Sequence, residues 1–164
     1  MTTGCVLDVL IYVYDHYMMS DPAEVPARRQ IFSALARKGF TLGEVAEAME
    51  WLSVLAAGSE GSEGSATATP AASERAVRVF ADGELWRLSR ECRGFLTRLD
   101  RDGVLTPEQR ERVIERTLAL DVVEPTLEQL KWVVLLALSV QPGEDAALTR
   151  FEALMASERQ LVRH

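Results

Sequence analysis

Apolar positions recur along this chain three and four residues apart, the spacing of helices that each bury one face. Val6, Leu10, Val13 and Tyr17 form one stripe, opposite Asp8, Tyr12 and Asp15, and predict a first helix over roughly 6–18. Ile31, Phe32 and Leu35 predict the buried face of a second, opened by Asp21-Pro22-Ala23-Glu24 or by Pro26. Gly39 stands where a left-handed residue ends a helix, and Phe40 follows as its apolar contact. Phe40 is also placed to staple onto Val45 across Thr41. Val45, Ala48, Met49, Leu52 and Leu55 then carry a third helix, completing a three-helix lobe over 1–56.

The pattern stops at 57–73, which reads AGSEGSEGSATATPAAS, with no aromatic or branched aliphatic side chain to offset the entropy of ordering. A flexible linker is expected there. Helical spacing resumes over 74–164. Arg78-Val79-Phe80 is expected to be briefly extended, and Asp82 to open a short helix holding Leu85, Trp86 and Leu88. Ser89 caps the next, with Cys92, Phe95, Leu96 and Leu99 inward. Val113, Ile114, Thr117 and Leu118 mark a helix expected to reach Leu120. Residues 132–138 are apolar on nearly every side, as a central helix must be, and Gln141-Pro142-Gly143 stops them. Leu148, Phe151, Leu154 and Met155 mark a last amphipathic helix. The expected fold is all-α: a three-helix lobe, a linker and a bundle of four or five helices.

Helix starts are written three times in one form: Thr41-Leu42-Gly43-Glu44, Thr106-Pro107-Glu108-Gln109 and Thr126-Leu127-Glu128-Gln129. In each, the Thr hydroxyl can accept the N–H three residues on, while the Glu or Gln side chain reaches back to the Thr N–H. Two of the four N–H groups that a helix start leaves without partners are thereby satisfied.

Charge narrows the partners. The net charge of −7 has the wrong sign for a protein held mainly by nucleic-acid phosphates. The most basic stretch, 87–116, holds eight arginines, but six acids are interleaved with them, as on a solvated helical face. Cys5 and Cys92 lack the spacing of a disulfide framework or a zinc site and read as reduced, buried thiols. Asp8 and Asp15 interrupt the first apolar run, and no basic residue precedes it, so a secretory signal is not expected. The 132–138 run is too short to span a bilayer. A cytoplasmic protein without a membrane segment is expected.

No catalytic constellation is legible. Asp100, Asp102 and Glu111 fall at positions 1, 3 and 12 of a calcium loop, but Val104 and Leu105 replace the oxygen ligand and glycine needed at 5 and 6. Gly103 reads instead as a turn between helices. His16 is isolated, and neither a nucleophile elbow nor a glycine-rich phosphate loop is present. No metal or cofactor is expected. Around Gly39, Leu35-Ala36-Arg37-Lys38-Gly39-Phe40-Thr41-Leu42-Gly43-Glu44-Val45 matches three descriptions. It is a plain αα corner, a DNA-binding helix-turn-helix, or a ubiquitin-associated-type module whose Gly-Phe turn presents an apolar surface. The helix after the turn bears Glu44, Glu47 and Glu50 and no base, which favours protein over DNA.

Several strings together resemble the bacterial Smg family: Arg78-Val79-Phe80 through Cys92-Arg93-Gly94-Phe95-Leu96, Val113-Ile114-Glu115-Arg116, Leu118-Ala119-Leu120-Asp121 and Leu130-Lys131-Trp132-Val133. Leu7-Asp8-Val9-Leu10 with Tyr12, and the Gly39-Phe40 turn leading to Trp51-Leu52, fit the same family. The resemblance covers nearly everything except the linker. It implies a small cytoplasmic protein and brings no biochemical activity with it. The Asp100/Asp102 pair departs from the family pattern.

The polar motif positions are Arg93, Glu115, Arg116, Asp121 and Lys131, beside the aromatic Trp132. Arg93-Gly94 is read as a close helix contact, and Glu115, Arg116 and Lys131 as an ion-pair network between neighbouring helices. The alternative is a binding surface, since Arg and Trp are frequent interface anchors. Candidate interaction residues are therefore Phe40, Arg93, Glu115, Arg116, Lys131 and Trp132. The expected function is non-enzymatic: a protein-binding adaptor or regulator, with nucleic-acid binding through 87–116 as the alternative.

Overall fold

In the computed structural model the described residues are 6–18, 28–60, 79–120, 122–140, 143 and 145–162. They form eight α-helices and no strand: α1 (Val6–Val13), continued by a π-helical turn (Tyr14–Met18), α2 (Arg28–Arg37), α3 (Leu42–Glu60), α4 (Asp82–Arg87), α5 (Arg90–Arg101), α6 (Pro107–Leu118), α7 (Leu127–Ser139) and α8 (Asp145–Leu161). The expected all-α fold is observed. The proposed starts of the second helix at Asp21 or Pro26 lie outside the described residues, as do Cys5, Arg78 and Asp121.

All three reciprocal caps form. Thr41 N–H donates to Glu44 Oε2 at 2.8 Å and Glu44 N–H to Thr41 Oγ1 at 3.3 Å. Thr106 and Gln109 exchange bonds of 2.8 and 3.2 Å, and Thr126 and Gln129 bonds of 2.9 and 3.2 Å. Ser89 accepts the Cys92 N–H at 3.2 Å, as expected. The ends are equally local. Gly39 takes φ +98°, with its N–H on Ala36 O and the Phe40 N–H on Leu35 O, the paired bonds of a Schellman end. Gly103 (φ +70°) repeats them on Asp100 O and Leu99 O, turning α5 into α6.

The core is organised around α7. From Gln129 to Val140 no residue is exposed, and Leu130, Val133, Val134, Leu136, Ala137 and Leu138 are buried. An apolar helix of this kind has to be covered on all sides, and α6, α8, α5 and α1 cover it. α1 also packs on α3, which rests on α2 and α6. Leu10, Leu35, Val45 and Leu55 therefore belong to the same buried cluster as Leu96, Ile114 and Leu136. The first three helices and the last five are joined through one core.

Three local expectations are corrected. Of the expected inward stripe of α1, Leu10 and Val13 are buried and Val6 is half-covered, and the buried face also takes in Leu7, Val9 and Tyr14. α1 is apolar on most of its circumference, so spacing alone does not choose a face, and Tyr14, four residues after Leu10, falls on the same side as Leu10. α3 runs to Glu60, four residues beyond the Ala56 boundary. Extending an established helix adds one bond per residue fixed, and Ala57 is the best helix former. α6 ends at Leu118, with Leu120 buried just beyond it.

A shared core predicts shared unfolding. Leu10→Ala in α1 and Leu136→Ala in α7 should each cost about 2–5 kcal/mol. Both should shift the same single urea transition followed by far-UV circular dichroism. Two transitions, each moved by only one substitution, would show that the halves fold independently.

Candidate functional site

The structure does not gather the six candidate residues. Phe40 sits half-buried at the α2–α3 turn, its ring 6.3 Å from that of Tyr12. Tyr12 in turn stacks on His16 at 3.9 Å and lies 5.8 Å beneath Lys38 Nζ. Arg93 is half-buried on α5, and its buried Nε has no hydrogen-bond partner. Gly94 is exposed, and a Cβ there would meet nothing within 4 Å, so the expected close helix contact is absent.

Glu115, Arg116 and Lys131 do not form one network. Glu115 pairs with its neighbour Arg116 at 3.1 Å, whereas Lys131 turns to Glu158 at 3.2 Å and Glu128 at 3.6 Å. Lys131 Nζ also lies 5.7 Å from the centre of the Phe95 ring. Trp132, one position on, meets Tyr14 edge to face at 5.9 Å. Adjacent positions on a helix point about 100° apart, which sends Lys131 and Trp132 to different neighbours.

Arg116 belongs to a different structure, the C-terminal end of α6. The last carbonyls of a helix have no partner within it and carry its negative pole. Here they are met by side chains from distant helices. Trp51 Nε1–H of α3 donates to Arg116 O at 3.1 Å, and the Arg116 guanidinium, only 13% exposed, lies 6.0 Å from the centre of the Trp51 ring. Arg87 of α4 donates one N–H to Leu118 O at 2.7 Å and another to Val122 O at 2.9 Å. One helix end thus fastens α3, α4 and the α6–α7 connection.

The same fastening sets out a surface that sequence reasoning missed. Trp86 is 85% exposed beside Arg87, with Val79 and Leu85 exposed in the same short stretch. Arg87 brings up Val122, whose neighbour Val123 is 91% exposed. α4 has six residues and buries none of them, so its apolar side chains have no core to enter. The legible signal was a tryptophan on a helix too short to cover it. A second feature is a cleft of about 790 Å³ between α7 and α8, with Trp132, Leu135, Phe151 and Met155 among its walls and Lys131 and Glu158 at its edge.

Catalytic or metal chemistry gains no support. The Asp100 carboxylate is taken by Arg110 at 2.7 Å, and Asp102 faces Arg98 and Arg101 at 3.7 and 3.8 Å. Among the described residues no cluster of His, Cys, Asp and Glu has the arrangement to hold a metal. Cys92 is a buried free thiol whose sulfur lies 3.6 Å from Pro125 O. No helix among the described residues is long and apolar enough to cross a membrane.

Residues 6–164 match the model of a family described as "Protein of unknown function (DUF494)". Proteins named "Protein Smg homolog" align over most of the chain. The one from Stenotrophomonas maltophilia strain K279a is 39% identical over 150 residues, covering 92% of each protein. That from Methylococcus capsulatus is 40% identical over 150 residues, again covering 92% of each. In Vibrio campbellii the identity is 37% over 159 residues, covering 97% of this chain and 99% of the relative. The chain belongs to the Smg family. No solved structure matches it.

Neither the Smg name nor the family description gives an enzymatic activity. In this Smg chain the motif residues Trp132 and Lys131 hold α7 to its neighbours, through Tyr14 and Glu158 respectively. Burial also displaces the ionisation of Tyr14. Burial raises its pKa above the ordinary 10.0; a hydrogen bond with Ser139 opposes the shift, and Glu152 and Asp15 add to it. The unfolded chain ionises Tyr14 at its ordinary value while the folded chain resists. Its contribution is therefore intact below about pH 10 and lost as pH climbs through the raised folded value. Tyr14→Phe should flatten the fall in stability above pH 10, measured by urea denaturation across an alkaline series. An unchanged slope would contradict this placement of Tyr14.

Proposed function

We propose that this Smg-family chain is a non-enzymatic, cytoplasmic protein-binding adaptor or regulator. Its contact surface is the face formed by α4 and the α6–α7 connection. The observation that carries the reading is the exposure of Trp86 and Val123 on segments that Arg87 ties together. Isolated exposed leucines or valines are ordinary, but an exposed tryptophan with several apolar neighbours is a common interface anchor. Acidic residues lie around it: Asp82, Glu91 and Glu124 are exposed, and the Arg87 charge is committed to backbone carbonyls.

The alternative, nucleic-acid binding through 87–116, has less to support it. A phosphate-binding surface needs arginines free to displace counterions. In this stretch Arg87 is held by carbonyls, Arg98 by Asp102 and Glu158, Arg110 by Asp100 and Glu111, and Arg116 by Glu115. Four of the eight arginines in the stretch are thus engaged within the fold.

Affinity capture from native bacterial lysate, comparing the unaltered chain with a Trp86→Ala/Val123→Ser double variant, tests the reading. Both substitutions lie at exposed positions, so the thermal midpoint should stay within about 2 °C. A protein retained in stoichiometric amount by the unaltered chain should fall at least tenfold with the variant, as loss of an anchoring tryptophan commonly does. Equal retention by both chains would remove the surface from consideration. Salt-sensitive retention of DNA or RNA, lost on replacing Arg90 and Arg93, would favour the alternative.

A further inference from the structure

Burial along α8 is uneven. Ala147 and Phe151, in its first half, are buried, and Phe151 meets Phe95 edge to face at 6.4 Å. Beyond Phe151 no side chain of the helix is buried: Leu154, Met155 and Glu158 are half-covered, and the rest, through Leu161 and Val162, are exposed. Leu154 and Met155 still pack against the core, so apolar contact holds α8 as far as Met155 and gives way to exposed side chains along 156–161 apart from Glu158.

Beyond Met155, Glu158 makes the contact to other helices. Glu158 Oε1 accepts from Arg98 Nη1 of α5 at 3.0 Å, and Glu158 Oε2 lies 3.2 Å from Lys131 Nζ of α7. A single carboxylate thus closes a three-helix junction, one oxygen to each cation. The junction is partly shielded: the Lys131 and Glu158 side chains are 19% and 27% exposed. Directly beside it lies the α7–α8 cleft, walled by Trp132, Leu135, Phe151 and Met155. We infer that the distal half of α8 is a movable arm, clasped by Glu158 to Arg98 and Lys131, whose release widens the α7–α8 cleft.

The physical basis is a contrast in what secures the two halves. Ion pairs at this degree of exposure weaken as salt screens them, whereas apolar packing around Phe151 does not. The arm should open locally, pivoting beyond Phe151, while α5, α6 and α7 keep their structure, since segments with few buried contacts open below the global unfolding free energy. Released, the arm uncovers more of Trp132 and Leu135, which the closed form leaves half-covered. The inference does not rest on the α4 surface.

Amide hydrogen exchange on the full chain tests it without a ligand. At low ionic strength, Glu158→Gln should raise exchange at amides 156–161 roughly three- to tenfold, the scale of two partly exposed ion pairs, and leave α6 and α7 unchanged. Raising sodium chloride from 50 to 500 mM should move the unaltered chain toward the variant and leave the variant nearly unaffected. Because the salt series needs no substitution, it reads out even if the variant folds poorly. Exchange at 156–161 that ignores both salt and substitution would overturn the inference. So would an increase spread evenly over all helices, which would mark Glu158 as a support of global stability and not a clasp.

Discussion

An α-helix that is apolar around its circumference has no face to offer water, and α7 is such a helix. Four helices cover it, drawn from both ends of the sequence. α1 is among them, and because α1 also packs on α3, the need to surround α7 recruits the first part of the chain into the same core. Burial of this one element sets the neighbour relations of the fold. The remaining question for each helix is how its ends are satisfied.

Those ends consume much of the polar chemistry. Threonine boxes serve the starts of α3, α6 and α7, and glycines in the left-handed region serve the ends of α2 and α5. The end of α6 is finished by an indole and a guanidinium from elsewhere in the sequence. Several arginines that look like a basic stretch on paper act as internal fasteners: Arg87 faces carbonyls, and Arg98, Arg110 and Arg116 face carboxylates. What the fold leaves without such a task is apolar, around Trp86 and Val123. That division of labour favours a partner made of protein over one made of phosphates.

Features governed by residues three or four apart were legible beforehand. The caps at Thr41, Thr106 and Thr126, the turn at Gly39, the Ser89 start and the central position of α7 all follow from local chemistry. The inward face of α1 was legible only at Leu10 and Val13, because a helix with apolar residues on most sides has no unique stripe. Nor was the end of α3, where Ala57 extends a helix that composition suggested should stop. The candidate site fared worse for a related reason. Glu115, Arg116 and Lys131 share charge complementarity in sequence, but their partners are chosen by which way each helix faces. The glycine beside Arg93 had no contact to make. Trp86 was visible as a residue, yet its exposure depends on α4 being too short to bury it.

The π-helical turn after Val13 has a consequence for how the first helix can vary. Its wider winding begins at Tyr14, which stands four residues after Leu10 and so keeps the inward face of the α-helix, against Trp132, while the change of phase falls on the residues that follow. Substitutions along this helix leave that phase untouched. A change of a single residue in length does not: dropping one position would swing the tyrosine ring away from its tryptophan and leave everything before it in place. The number of residues before the tyrosine is therefore as much a part of its packing as the ring itself.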